Sequence, residues 1–588
     1  SYKILTGRRA ELSKLRKLDG LSGFPKRSES VYDSFDTGHS STSISAALGL
    51  SRALRAQGRD EHVVAVIGDG ALTGGMAYEA LNNITAEDKV LIILNDNQMS
   101  IDRNVGGMSR RLEQLRVSSG YLLFKRRTRR WLERIPLLGK RLASLLNHSK
   151  NLLRRLLARQ LHTPFDTFDV KYYGPIDGHD VKLVQDYIDA AKALDSSVVI
   201  HVCTQKGKGY KQAEEAPENY HGVSPFVIER GVPEKQAVDR RRAFPENLPG
   251  AGSFTQAFTA SLLDLAERDE RIVAISAAME SGTGLTPFRE RYPGRFYDTG
   301  IAEQHAVTLG AGMAVGGLKP VVALYSSFVQ RALDQVIHDV ALQNLPLVLC
   351  LDRSGVVGED GETHQGIYAL SFLQAVPNLE ILCPRDYTEL YLMLRHSLHK
   401  DAGPTVIRYA RGASEMPLEA LDEAAFTAAV EASDRAVLGQ FEPQLLRRGR
   451  EVALVTWGNQ CGRVLQAVER VRQHLPQYQP TVIDLRTLNP FPEEALIELL
   501  SEGYDSVLCI EEIASGAGIG DRLGRLLQEQ GWATDYRTLD LGAEPVLQGK
   551  AQEVLERHGL AGQALADTLR QSYRQRQTVS YRDKKEIS

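Results

Sequence analysis

The stretch that most constrains this chain runs from His62 to Asn97, where two apolar runs each end in residues able to ligate a cation. The first, His-Val-Val-Ala-Val-Ile, leads into Gly68-Asp69-Gly70 and then the helix-forming Gly75-Met-Ala-Tyr-Glu-Ala-Leu. The second, Val90-Leu-Ile-Ile-Leu, ends in Asn95-Asp96-Asn97. Apolar runs of this kind on either side of a helical segment predict neighbouring parallel strands. Such strands would bring Asp69 and Asn97 together at their carboxyl ends, where open α/β sheets bind ligands. Two oxygen ligands, a tight glycine turn and a helix N-terminus suit one task, holding a divalent cation on a diphosphate. A lone Gly-Asp-Gly is ordinary turn chemistry. The Asx-rich end of the second strand gives it meaning.

Strands alternate with amphipathic segments throughout, which predicts an α/β chain of three consecutive Rossmann-like domains with mainly parallel sheets. The first block, 1–229, offers strands buried on both faces at 63–67, 90–94 and 198–203, with a basic helical insertion at about 110–165. A polar linker is expected at 230–250. The second block, 251–415, offers strands at 272–276, 320–325, 345–351 and 405–409. After a loose segment at about 413–441, the third block, 430–575, offers 452–456, 481–485 and 507–510. A polar tail, 576–588, follows, with fraying expected from Gln571 onward. Within the insertion, 121–160 carries twelve Lys/Arg against one Glu. Solvated surface helices are the preferred reading there, ahead of a membrane-facing or substrate-steering role. Over the whole chain 71 basic residues balance 74 acidic ones, which points to no nucleic-acid partner. No apolar run reaches the roughly 18 residues of a membrane-crossing helix, so no integral membrane association is expected. The five cysteines lack metal-ligand or redox spacing, so buried, reduced thiols and a cytoplasmic location are expected.

The second block carries Asp298-Thr-Gly-Ile-Ala-Glu303-Gln-His305-Ala-Val ahead of the small-residue run Gly310-Ala-Gly-Met-Ala-Val-Gly. A glutamate opening an otherwise apolar helix is poorly solvated, which raises its affinity for a proton. Such a carboxyl group can share that proton with a heterocycle nitrogen. A carboxylate serving only the helix dipole would explain the position but not its company. That company includes Gly38-His39-Ser-Ser-Thr-Ser and Tyr325-Ser-Ser-Phe328-Val-Gln-Arg331. Added to these are Ile4-Leu-Thr-Gly-Arg, Gly174-Pro-Ile-Asp-Gly-His, Lys206-Gly-Lys-Gly-Tyr, Asp360-Gly-Glu-Thr-His-Gln-Gly and Arg408-Tyr-Ala-Arg411-Gly. Taken together, the pattern resembles the 1-deoxy-D-xylulose-5-phosphate synthase family of thiamine diphosphate enzymes, over essentially the whole chain.

The resemblance implies a diphosphate-binding domain, a pyrimidine-binding domain and a transketolase C-terminal domain. It implies Mg²⁺ on Asp69, Asn97 and the Met99 carbonyl, within the octahedron that ion prefers. It places thiamine diphosphate against His39, Ser40, Ser41, Gly70, Ala71, Asn97 and Lys206, with Glu303 and Phe328 at the pyrimidine ring. Substrate would meet Tyr325, Arg353, Asp360, His364 and Arg411; an arginine fork suits a phosphate or carboxylate. Glu303, His364, His39 and Asp360 are the catalytic candidates, and the roles of the two histidines stay undivided. The implied reaction condenses pyruvate with D-glyceraldehyde 3-phosphate, with loss of CO₂, to give 1-deoxy-D-xylulose 5-phosphate. That product would feed isoprenoid, thiamine and pyridoxal precursors. Transketolase-type ketol transfer and a catalytically silent subunit are the alternatives, and a pyruvate-dehydrogenase-type decarboxylase is a weaker one. The family is also a homodimer in which both cofactor-binding domains of a site come from one chain. Its members carry a preceding segment with Gly-His-Leu-Ala-Ser and Gly-His-Gln motifs that these residues lack. The leading expectation is therefore a protein that begins further upstream, ahead of a segment supplied by another chain. A chain truly starting at Ser1 would be expected to show weak activity or none. The run Glu511-Glu-Ile-Ala-Ser-Gly-Ala-Gly-Ile-Gly departs from the family's spelling, and no catalytic role is assigned to the third block.

Overall fold

The computed structural model describes residues 2–99, 106–114, 163–220, 226–229, 231–232, 251–416 and 441–586. The basic run 121–160, most of the insertion, all of the linker but 231–232, and 417–440 of the loose segment lie outside the described residues. These residues form two compact units. The smaller comprises His39–Gln236 with Thr299–Ala302, and the larger comprises Ser1–Gly38, Ala237–Asp298 and Glu303–Ser588.

In the smaller unit, runs rich in Val and Ile become strands β1 (Val63–Gly68), β2 (Val90–Asp96) and β4 (Val198–Cys203), and a tyrosine-bearing segment becomes β3 (Lys171–Asp177). They form one parallel sheet in the order β1-β2-β4-β3, with Val63 opposite Val90 and Gly68 opposite Asn95. One face buries Ile44, Ala65, Ile67, Ile92 and Leu94. The other buries Leu91, Ile200 and Val202 under the helix Val181–Lys192, whose Asp180 cap accepts from Leu183 N–H at 3.0 Å. That helix packs on β3 and β4. The expectation of a first strand buried on both faces is corrected, for Val64 and Val66 are exposed.

The larger unit holds two sheets. Strands β5 (Ile272–Ser276), β6 (Phe296–Asp298), β7 (Lys319–Tyr325), β8 (Val348–Asp352), β9 (Glu380–Leu382) and β10 (Thr405–Arg408) run parallel. Next come β11 (Gln444–Arg447), β12 (Val452–Thr456), β13 (Thr481–Asp484), β14 (Thr487–Asn489), β15 (Ser506–Ile510) and β16 (Asp535–Leu539). The five-stranded order β11-β13-β12-β15-β16 is parallel except for β11. Strand β14 leaves that sheet and pairs antiparallel with β9, so the other sheet reads β14-β9-β10-β8-β7-β5-β6. A single apolar cluster joins the two, with Ile275, Val322 and Leu349 in the same core as Val455, Ile483 and Val507.

Residues 2–38, which the sequence reading places in the first block, pack in the larger unit, where Gln548 Nε2 donates to Gly20 O at 2.7 Å and Arg557 pairs with Asp19 at 2.7 Å. The polar C-terminal run expected to fray is helical to Glu586.

Candidate active site

In the smaller unit the parallel register of β1 and β2 delivers Asp69 and the Asn95–Asn97 cluster to one sheet edge, with Asp69 N–H on Asn95 O at 3.1 Å. The cluster then divides its work. Asn95 Oδ1 accepts from Thr204 Oγ1 at 2.7 Å, and Asp96 Oδ2 lies 2.9 Å from His201 Nε2. His201 Nδ1 in turn lies 2.6 Å from the Tyr172 hydroxyl. Asn97 Oδ1 accepts from Met99 N–H at 3.0 Å, an Asx turn that curls the chain back. Between them Gln98 takes φ 63°, sparsely populated for a non-glycine residue, and its N–H donates to Asp69 Oδ2 at 2.8 Å. The second carboxylate oxygen, Asp69 Oδ1, is buried with no hydrogen-bond partner among the described residues. Burial and the neighbouring Asp96 charge push Asp69 up to about 7. An orphaned buried oxygen in a site overloaded with negative charge fits a divalent cation, which would supply the missing partner. The sequence singled out Asp69, Asn97 and Met99 here. It missed the Asp96–His201–Tyr172 chain behind them, because His201 sits within an apolar strand with no motif around it.

The same unit presents the phosphate-side candidates. Ser41 is buried in a left-handed conformation (φ 73°), and its hydroxyl donates to Ala71 O at 2.7 Å, tying the His39–Ser41 loop to the turn at Gly70 and Ala71. His39 and Ser40 are half-buried beside it, and half-buried Lys206 opens the turn after β4.

In the larger unit Glu303 opens the helix Glu303–Val315 and is 5 % exposed. Burial raises its proton affinity, and Arg331 Nη1, 3.8 Å from Oε2, opposes that shift. Tyr325 ends β7, with Phe328 stacked on its ring at 5.7 Å and the Arg353 guanidinium over it at 4.0 Å. Arg353 follows β8 in another left-handed conformation, φ 60°. Strain of this kind concentrates at functional sites. Phe328 meets the His364 ring edge-on at 5.5 Å, and His364 is stacked on Phe24 at 5.1 Å with 8° between planes. Asp360 is paired with Arg16, whose guanidinium also lies over Phe24 at 5.3 Å. Burial raises the Asp360 carboxyl, but Arg16, His364 and Arg411 outweigh it and the net shift is downward. Arg411 Nη1 donates to Val357 O at 2.5 Å, which braces the loop carrying Asp360 and His364. The structure thus brings Tyr325, Phe328, Arg353, Asp360, His364 and Arg411 into one neighbourhood. It adds Arg16 and Phe24, which sequence reasoning did not single out.

Two units with mainly parallel sheets, one with a cation-ready acidic edge and one with a buried glutamate and stacked aromatics, define a transketolase-type α/β protein. Accordingly, residues 251–416 match the transketolase pyrimidine binding domain and 442–565 the transketolase C-terminal domain. Residues 1–204 match the family described as 1-deoxy-D-xylulose-5-phosphate synthase. Curated relatives of that name include the protein of Clostridium beijerinckii, 44 % identical over 94 % of this chain and 84 % of the relative. That of Clostridium perfringens is 41 % identical over 97 % of this chain and 87 % of its own length. A third, from Desulforudis audaxviator, is 43 % identical over 93 % of this chain and 81 % of its own. The chain belongs to the 1-deoxy-D-xylulose-5-phosphate synthase family.

Proposed function

We propose that this chain condenses pyruvate with D-glyceraldehyde 3-phosphate, releasing CO₂ and forming 1-deoxy-D-xylulose 5-phosphate, with thiamine diphosphate and Mg²⁺ as cofactors. The observation that carries the site assignment is the buried Glu303 carboxyl at a helix start, poised between the burial that favours its proton and the Arg331 charge that opposes it.

When bound, thiamine diphosphate supplies the reactive carbon and the electron sink for decarboxylation and carbon–carbon bond formation. Asp69, Asn97 and the Met99 carbonyl would hold Mg²⁺, and the orphaned Asp69 Oδ1 is the oxygen with most to gain. His39, Ser40, Ser41, Lys206 and the turn at Gly70 and Ala71 would hold the diphosphate, with Ser41 already bonded to that turn. Glu303 would hold a proton at its carboxyl oxygen against the pyrimidine ring, and Phe328 would bear on that ring. Arg353 and Arg411 would take the substrate carboxylate and phosphate. Tyr325, Asp360 and His364 would face the reacting carbons, with His364 and His39 holding or moving protons. Phe24, stacked on His364, and Phe328, edge-on to it, would orient the His364 ring. A homodimer and a cytoplasmic setting complete the proposal, the latter supported by the spacing of the five cysteines, which fits buried, reduced thiols. Among the described residues no helix is long and apolar enough to cross a membrane.

The test is turnover by this polypeptide with thiamine diphosphate, Mg²⁺ and pyruvate, following CO₂ and the phosphosugar with and without the aldehyde. Aldehyde-dependent CO₂ release with deoxyxylulose phosphate formation is expected. Turnover of ketose donors without decarboxylation would overturn the reading in favour of ketol transfer.

A further inference from the structure

The loop from Gly355 to Gly366 is closed at its neck by two backbone bonds, Gly355 N–H on Gly366 O at 3.0 Å and Gly366 N–H on Gly355 O at 2.8 Å. Just inside the neck, two successive backbone N–H groups are taken by side chains. Val357 N–H donates to Gln365 Oε1 at 2.8 Å, within the loop itself. Val356 N–H donates to Glu512 Oε1 at 2.6 Å, and Glu512 follows β15 in the other sheet of the same unit. The Glu512 side chain is buried, and its second oxygen is gripped by Arg463 Nη1 at 2.5 Å. Arg463 is steadied in turn by Gln460 Oε1 at 3.1 Å. Room for the carboxylate comes from Gly355 (φ 91°), where a Cβ would stand 2.5 Å from Glu512 Oε1.

A buried carboxylate with one oxygen on a backbone amide and the other on a guanidinium has no freedom left, and such charge-assisted bonds are the strong ones. The amide it fixes lies in the loop that carries Asp360 and His364. We propose that Glu512, oriented by Arg463, is a positioning residue for the synthase reaction, setting the Gly355–Gly366 loop and thereby the place of Asp360 and His364. What the loop does rests on the function proposed above; the Glu512 contact does not. The third block, read from sequence as without part in catalysis, therefore acts on it through the loop.

The test compares wild type with Glu512→Gln and with Glu512→Met combined with Arg463→Met, a pair that removes the contact without stranding a buried charge. Hydrogen exchange of the peptide 354–366 is the readout that needs no turnover. It is expected to speed up in the methionine pair and to stay near wild type in Glu512→Gln, which keeps an acceptor oxygen for Val356. In kinetics the methionine pair is expected to lose roughly 100-fold in kcat/KM for the aldehyde, the scale of a misplaced reacting group. Binding of thiamine diphosphate with Mg²⁺ should be unchanged, and Glu512→Gln should restore most of the lost kcat/KM. Unaltered loop exchange in the methionine pair overturns the proposal, as does a loosened loop with unchanged kcat/KM, or activity that falls only with the folded fraction. A wild-type chain without turnover would count against the synthase reading alone, and loop exchange would still decide Glu512.

Discussion

At the scale of single residues the site is a set of charges whose neighbours decide their use. Glu303 is the clearest case, since burial and Arg331 pull its proton affinity in opposite directions. Glu303→Gln keeps the shape and removes the exchangeable proton. Turnover is expected to fall by about 10²- to 10⁴-fold, as for a lost general acid–base, while circular dichroism stays that of wild type. Asp360 yields a prediction with a sign. Arg16 helps hold its carboxyl low against the burial that raises it, alongside His364 and Arg411. Arg16→Ala removes one of those three, so the Asp360 pKa rises and the ionised form is lost at a higher pH. The acid limb of kcat/KM against pH should therefore move upward in the variant; a limb that stays put would mean that ionised Asp360 is not required. Legibility differs sharply among these residues. Asp69 and Glu303 were readable because each sits at the end of a strand or the start of a helix with its turn chemistry intact. Arg16 and Phe24 were not, because their partners Asp360 and His364 lie more than half the chain away and no periodicity encodes that meeting.

At the scale of elements, the sequence-derived strands coincide with those of the structure at every central position but that of β9. Strands β2, β4, β8, β10, β12 and β15 have neighbours on both sides and read as continuous apolar runs. Those missed are β3, β6, β9, β11, β14 and β16, and all but β9 lie at sheet edges. An edge strand needs apolar side chains over less of its length, so Phe-Tyr-Asp or Asp-Tyr-Arg-Thr-Leu carries little signal. The departure of β14 to another sheet was illegible for a further reason, since its pairing depends on a partner about a hundred residues back. That crossing is reinforced by charge. Arg385, beyond β9, donates to Asp484 at 2.9 Å and lies 3.1 Å from Glu389, while Arg486 meets Glu389 at 2.7 Å. Asp484 and Asp386 are buried and both pair with Arg385, so Arg385→Ala would leave these two carboxylates without the guanidinium they share, while Glu389 keeps Arg486. A loss of about 3–5 kcal/mol in urea unfolding is expected, the cost of breaking a buried pair from one side. A loss below about 1 kcal/mol would place the network among the surface pairs that contribute little.

At the scale of the whole molecule, the cofactor chemistry and the folding of the smaller unit are linked through the same side chains. Asp69 carries a buried oxygen with no hydrogen-bond partner among the described residues and stands beside Asp96, so in the absence of a cation this corner of the sheet holds more negative charge than it can solvate. A ligand that binds only the folded state stabilises it in proportion to the logarithm of its concentration over its dissociation constant. Mg²⁺ with thiamine diphosphate at a hundred times that constant should therefore add about 2.7 kcal/mol to the unit that holds them. The effect should be local. Hydrogen exchange is expected to slow in peptides spanning β1 and β2, which lead into Asp69 and Asn97, and to stay unchanged in β12 and β15 of the larger unit. Chelation with EDTA should reverse the slowing. Asp69→Asn offers the control with opposite tendencies, because it relieves the repulsion with Asp96 but weakens the cation site. The variant should be as stable as wild type or more so without metal, and should gain much less on adding Mg²⁺ with the cofactor. Equal gains in variant and wild type would remove Asp69 from the cation site and leave its buried oxygen to be explained by other chemistry.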